Sequence, residues 1–335
     1  MKMSISSQQH QTDATAASKA GYEVKCPICF SAGARLVTQK LRFGKKADIY
    51  QCASCELVFL DPQSFQFPKD FYEKEYHQTY LTHIEPDALN PDVYFEKMLK
   101  TNQTWARMVR DILTGNEVVL DVGCSTGHFI HLVQDKTKKM YGHELSEKEV
   151  AFCRNVKKLD VSNEPLHKRF AEGTFDYITM IFVLEHIEKP KEFLIYLKKF
   201  LKPTGKFLIL VPNIDDALMS HYDIPEFRDF YYCIEHFFYF NTKTIKKLFD
   251  EAGLTGEISS LQEYPITNHI NWAYRKTFSD VLAARKGIPS VPVTSKVSLD
   301  AWEGLWNEFN RMYLNYLEEN GFGDRVWCVV GPSGR

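Results

Sequence analysis

Residues Val119–Phe129 read VLDVGCSTGHF, and the placement of the rest of the chain follows from this stretch. Val118, Val119, Leu120 and Val122 form the short apolar run that a parallel strand needs when both of its faces are covered. Gly123 and Gly127 then bracket Cys124, Ser125 and Thr126. Glycine tolerates positive φ and lets a ligand come close to the backbone. The helix expected from about His128 presents unpaired amides to an anionic group. Strand, turn and helix together predict an α/β fold with a nucleoside-type cofactor at the carboxyl end of this strand. The plainer alternative is a glycine turn that closes an ordinary α/β crossover.

A dinucleotide fingerprint would require glycine where Ser125 and His128 stand, so the GxGxxG reading fails. The spacing instead resembles motif I of class I S-adenosylmethionine (SAM) methyltransferases. That resemblance implies that Gly123, Cys124 and Gly127 hold the methionine end of SAM, with Asp121 organising the turn. It also implies that Glu144, at the end of MYGHEL, binds the ribose hydroxyls. FDYITMI, Phe175–Ile181, reads as the fourth strand, and Phe182 directly after it is assigned to the cofactor. VLEHIEKP resembles the stretch after the methyl-transfer strand in many small-molecule methyltransferases.

The following elements keep the order of that family. A helix is expected from Pro190 to Leu201, because Phe193, Leu194, Leu197, Phe200 and Leu201 recur at helical spacing. Lys202, Pro203 and Gly205 would stop it before a strand at Lys206–Val211. A further helix, Thr242–Ala252, ends at Gly253. The implied fold is a Rossmann-like class I methyltransferase sheet over residues 101–335, mostly parallel with the last strand antiparallel. It carries a helical insertion at about 266–322 ahead of DRVWCVVGP, the final strand.

Four of the eight cysteines form two CxxC pairs, Cys26 with Cys29 and Cys52 with Cys55, separated by 22 residues. Two such knuckles can converge on one tetrahedral Zn²⁺. A redox CxxC would need only one pair, and core cysteines are the other alternative. A closed four-thiolate site has no open position, so a zinc here is expected to fold a module over residues 21–65 and not to catalyse. Activity is expected to survive its loss in part, with the SAM site lying elsewhere.

At 335 residues the chain exceeds one average domain, and 41 basic against 43 acidic residues leave a net charge of −2. That balance gives no general attraction to nucleic acid or to an anionic membrane. Residues 1–20 are polar and read as a disordered tail without a signal core, and a cytoplasmic location is expected.

Residues 66–100 form an aromatic, helical linker or lid that includes PKDFYEKEYHQTYLTH. Ring packing on the next domain is the bland account of its tyrosines. The double CxxC module, the EYHQTY linker, the LEHI segment and IEHFFYFNTKTI together resemble the sugar C-methyltransferases of deoxysugar and glycan pathways. Those enzymes methylate a nucleotide-linked keto sugar at the carbon next to the carbonyl. The resemblance carries catalytic positions onto Tyr76, His186, Glu235 and His236, with His236 as the base and Glu235 orienting its imidazole. The chain departs from that family after Pro265, where only about 70 residues remain. O-methylation or N-methylation of a sugar or another small metabolite therefore stays open. So does a zinc-ribbon RNA-base methyltransferase, although residues 21–70 hold only seven basic against five acidic side chains.

Overall fold

A computed structural model describes residues 23–65, 89–276 and 296–334, with side chains from residue 303 onward in the last of these. Among them, eleven strands form two sheets. The larger contains β4 (Val118–Val122), β5 (Lys139–His143), β6 (Val161–Ser162), β7 (Phe175–Ile181), β8 (Leu201–Pro212), β10 (Leu254–Leu261) and β11 (Arg325–Pro332). Their order is β10-β11-β8-β7-β4-β5-β6. β4 lies between β5 and β7 and is parallel to both, with Val119 opposite Met140 and Tyr177. β11 enters antiparallel between β8 and β10. This is the Rossmann-like methyltransferase sheet that the sequence predicts, with its antiparallel last strand. Chain order reverses at β4, so the crevice for ligands opens beyond its carboxyl end, which is where the glycine turn leaves.

One boundary differs from the expectation. The helix that starts at Pro190 ends at Lys198, and β8 begins at Leu201. Phe200 and Leu201, at 2% and 5% exposure, reach the core at the head of a strand and not from the last turn of a helix. Leu201 pairs with Phe175 before a register shift in the β7–β8 ladder. That irregularity accommodates Pro203, which has no N–H to give a ladder.

The smaller sheet joins the cysteine module to the methyltransferase sheet. β1 (Ala34–Lys40), β2 (Lys46–Cys52) and β3 (Val58–Leu60) form an antiparallel meander. Its fourth strand is β9 (Phe238–Tyr239), from far along the chain, which pairs Tyr239 with Val58 and Phe238 with Phe59. Two backbone bonds extend the junction, Leu60 N–H to the Phe237 carbonyl at 2.9 Å and Arg42 N–H to the Tyr232 carbonyl at 2.7 Å. Ile49, Leu57, Phe59, Phe175 and Phe207 belong to one continuous buried cluster. The module is thus built onto the larger domain through a shared core.

The end of the linker is helical from Pro91 to Thr101, capped by the Asn90 side chain. Phe95, 1% exposed, packs edge-on against His131 and Phe152. The tail at 1–20 and the linker residues Phe71, Tyr72, Tyr76 and Tyr80 lie outside the described residues. In the C-terminal insertion, helices cover Ile266–Arg275 and Lys296–Glu319. No helix among the described residues is long and apolar enough to cross a membrane.

Candidate active site

The turn after β4 takes its shape from its own packing. Gly123, Ser125 and Gly127 all have positive φ, at 70°, 49° and 76°. Gly127 is the left-handed N-cap of the helix His128–Val133. A Cβ there would collide with Leu159 Cδ1 and stand 3.1 Å from Cys153 Sγ, while one on Gly123 would meet Val183 Cγ2 at 2.7 Å. The sequence reading gave these glycines to positive φ and close ligand approach; the φ values are as read, and the protein's own contacts also exclude a side chain.

Two acids frame the turn. Glu144 accepts the Ser125 N–H at 2.8 Å through Oε2 and the Ser146 N–H at 3.0 Å through Oε1. Asp121, 3% exposed, accepts the Thr179 hydroxyl at 2.6 Å. Burial, with the nearby charge of Glu144, pushes Asp121 up to about 7 against the opposing Thr179 bond. Burial also raises Glu144, against the bonds from Ser146 and Ser125. Glu144 thus ties the turn to the segment after β5. The Ser125 hydroxyl oxygen is buried without a hydrogen-bond partner among the described residues. An orphaned polar atom on a glycine turn suits a polar ligand such as the methionine end of SAM.

A cavity of about 600 Å³ runs from this turn to the LEHI segment. Asp121, Gly123, Cys124, Ser125, Glu144 and Phe182 line one end, and Glu185, His186, Glu235 and His236 line the other. Gly127 lies behind the turn. Phe182 adopts φ 57° and has the Arg325 guanidinium 5.1 Å from its ring centre. The Cys124 thiol is raised by burial, which keeps it protonated.

At the far end the two EH segments interlock. His186 Nδ1 donates to the Glu235 carbonyl at 3.0 Å, and Phe237 N–H donates to the Glu185 carbonyl at 2.8 Å. The His186 and His236 rings meet edge to face with centres 4.7 Å apart. Burial lowers His186 to about 4 and holds His236 well below its usual value, so both imidazoles are neutral at neutral pH. The Glu235 backbone carbonyl holds an imidazole, and that imidazole is His186. The acid that meets both rings is Glu185, which the sequence reading left out of the site although it stands beside His186. It is 1% exposed, and burial pushes it up to about 8. Arg42, from the cysteine module, and Tyr264, His269, Trp272 and Arg325, from the C-terminal part, also line the cavity. Local pattern gave no signal for them, since long-range folding alone brings them there.

The four module cysteines converge. Cys26 and Cys55 Sγ atoms are 3.6 Å apart, as are those of Cys29 and Cys52, and all four lie within 4.8 Å of one another. A tetrahedral zinc with bonds of about 2.3 Å needs sulfur separations of about 3.8 Å, so the donor set fits that ion. Each knuckle turns through a positive-φ residue, Phe30 and Glu56. Ser54 and Cys55 N–H groups point at Cys52 Sγ at 3.3 and 3.4 Å. Such N–H donation stabilises a thiolate.

Residues 94–257 match the family model of a methyltransferase domain. With the fold and the turn above, this is a class I SAM-dependent methyltransferase domain, and the protein is a SAM-dependent methyltransferase. Among solved structures, the chain is similar to a SAM-dependent methyltransferase from Archaeoglobus fulgidus, at 18% identity over 69% of this chain and 93% of that one, with a TM-score of 0.44. It is also similar to a complex of the Trm112 methyltransferase activator with a methyltransferase from Haloferax volcanii, at 16% identity over 75% and 98%, with a TM-score of 0.47. A third is the [4+2]-cyclase SpnF, at 17% identity over 69% and 82%, with a TM-score of 0.40. No curated protein matches the chain at a significant level.

Proposed function

We propose that the protein transfers the SAM methyl group to a small-molecule acceptor, a sugar or nucleotide-linked sugar of glycan biosynthesis. The observation that carries this reading is the single cavity that joins the glycine turn to the Glu185, His186 and His236 face. SAM occupies the turn, held by Asp121, Gly123, Cys124, Glu144 and Phe182 with Gly127 shaping the turn from behind, and its methyl points along the cavity. The acceptor lies beyond, against His186, Glu235 and His236, with Tyr76 as the linker's contribution. Phe230, Tyr231 and Trp272 line that end and offer ring faces for the apolar side of a sugar, beside polar groups for its hydroxyls. Zinc in the four-cysteine site is structural in this reading.

For a keto sugar, the proton next to the carbonyl passes to water in the cavity, and negative charge develops on the keto oxygen. The enolate carbon then bonds to the methyl, and the sulfur keeps the electron pair of the broken bond. In-line positioning and a polar face at the developing charge are what this pocket contributes. The test supplies ¹³C-methyl SAM with nucleotide sugars, free sugars or RNA in deuterated water. A carbon-bound methyl on a sugar, with deuterium exchange at that carbon, is the expected product. A methoxy signal without exchange would move the reaction to O-methylation, and methylated RNA would overturn the sugar reading.

A further inference from the structure

Glu185, His186 and His236 each bring one ligand-capable atom to a common point, all three lying within 4.8 Å of one another. We propose that this trio is a second metal site, for a divalent cation of the Mn²⁺ or Zn²⁺ kind, and that the ion holds the acceptor. The inference rests on the methyltransferase reading for what the ion does, but the site itself rests on its own geometry.

Three observations converge on a cation. Glu185 is 1% exposed, and neither carboxylate oxygen has a hydrogen-bond partner among the described residues. A buried carboxylate left in that condition is costly unless it keeps a proton or a positive charge meets it. Arg325, whose charge reaches Glu185, has Nη2 on Glu263 and Nη1 beside Asp324 and makes no hydrogen bond to the Glu185 carboxylate among the described residues. His236 Nδ1 is likewise buried with no hydrogen-bond partner among the described residues.

The third observation is the orientation of His186. Its Nδ1 faces the Glu235 carbonyl, which can only accept, so Nδ1 carries the proton and Nε2 carries the lone pair. A histidine whose far nitrogen donates to a carbonyl is the usual arrangement around a bound metal. The bond from Phe237 to Glu185 ties the two ligand-bearing segments together. Bonds near 2.0–2.1 Å require donor separations of about 3.3 Å, and the three donors already lie within 4.8 Å of one another.

The donor set separates this site from the cysteine knuckles. Two imidazoles and a carboxylate suit harder ions than four thiolates do, so the two positions select different metals. Three protein ligands also leave positions open, and here they face the cavity. An acceptor with two neighbouring oxygens, such as a vicinal diol or a hydroxy-ketone, would chelate the ion through them. As the α-proton passes to water, the ion takes the charge that forms on the keto oxygen. The carbon then attacks the methyl, and the electron pair of the methyl–sulfur bond stays on sulfur as the neutral thioether.

The test titrates Mn²⁺ into the full-length, zinc-loaded protein and follows free Mn²⁺ by electron paramagnetic resonance. One Mn²⁺ should bind per chain, with pulsed measurements showing nitrogen couplings from two imidazoles. Glu185→Gln and His236→Ala should each weaken binding at least tenfold, while calorimetric SAM affinity and cysteine-bound zinc hold. Absence of bound Mn²⁺, or bound Mn²⁺ without imidazole couplings, would overturn the site. Calorimetry with SAM on the same wild-type sample separates the two failures. SAM binding without Mn²⁺ defeats only the metal site, whereas Mn²⁺ binding without SAM defeats the methyltransferase reading beneath it.

Discussion

Tyr239 shows how much of this structure rests on single polar groups. Its hydroxyl accepts the Cys233 N–H at 3.0 Å and donates to the Cys233 carbonyl at 2.7 Å, all of it buried. Tyr239→Phe leaves both backbone groups without partners, and the expected loss is about 1–3 kcal/mol of unfolding free energy, measured by denaturant titration. Gly127→Val forces a branched side chain into left-handed backbone against Leu159 and Cys153. Its expected signature is a lower melting temperature together with lost SAM binding, since the turn and its packing fail together. Asp121, Gly123, Gly127 and Glu144 were legible as a cluster because strand, turn and helix follow one another locally. Glu185 was not, because its isolation from hydrogen-bonding partners appears only once the 230–240 segment folds over it.

At the scale of elements, β7 and the helix Thr242–Ala252 follow directly from local pattern, and their observed ends match the sequence reading. The pairing of β3 with β9 has no such local signal. It joins residues some 180 positions apart, and two-residue β9 carries no periodicity to read. This pairing changes what loss of the module's metal should do. Cys52 ends β2, whose next neighbour β3 braces Phe237 to Tyr239, directly after His236. Removing zinc with Cys52→Ser should therefore cost methyl transfer more than tenfold and not spare it in part, because the energy of a structural zinc is folding energy. SAM affinity, read by calorimetry, should change far less, since the glycine turn lies on the larger sheet. Equal losses of both would mean that the whole chain unfolds with its module.

Over the whole molecule, the cavity is assembled from three parts of the chain, and its buried acids tie stability to pH. Burial raises Asp121 and Asp216 to about 7, with the charges of Glu144 and Asp324 adding to it. An unfolded aspartate titrates near 3.9, so the folded, ligand-free protein holds protons that the unfolded chain has released. Stability from this source is therefore full below about pH 4 and is lost as pH rises through about 7. SAM carries a positive sulfonium and favours the ionised form of Asp121, so its stabilising effect should grow with pH. Thermal melts at pH 5.5 and 8 should show the larger SAM-induced shift at pH 8, and Asp121→Asn should flatten the difference. A shift independent of pH in the wild-type protein would remove Asp121 from contact with the cofactor's charge. The account's central claim, SAM held by the turn from Asp121 to Gly127 and by Glu144, has a direct test in calorimetric titration of the wild-type protein and Glu144→Gln. One SAM per chain is expected in the wild type, with affinity about 10- to 100-fold weaker in the variant, the scale of a lost charged hydrogen-bond acceptor. No binding by the wild-type protein, or equal affinity in both, would contradict it.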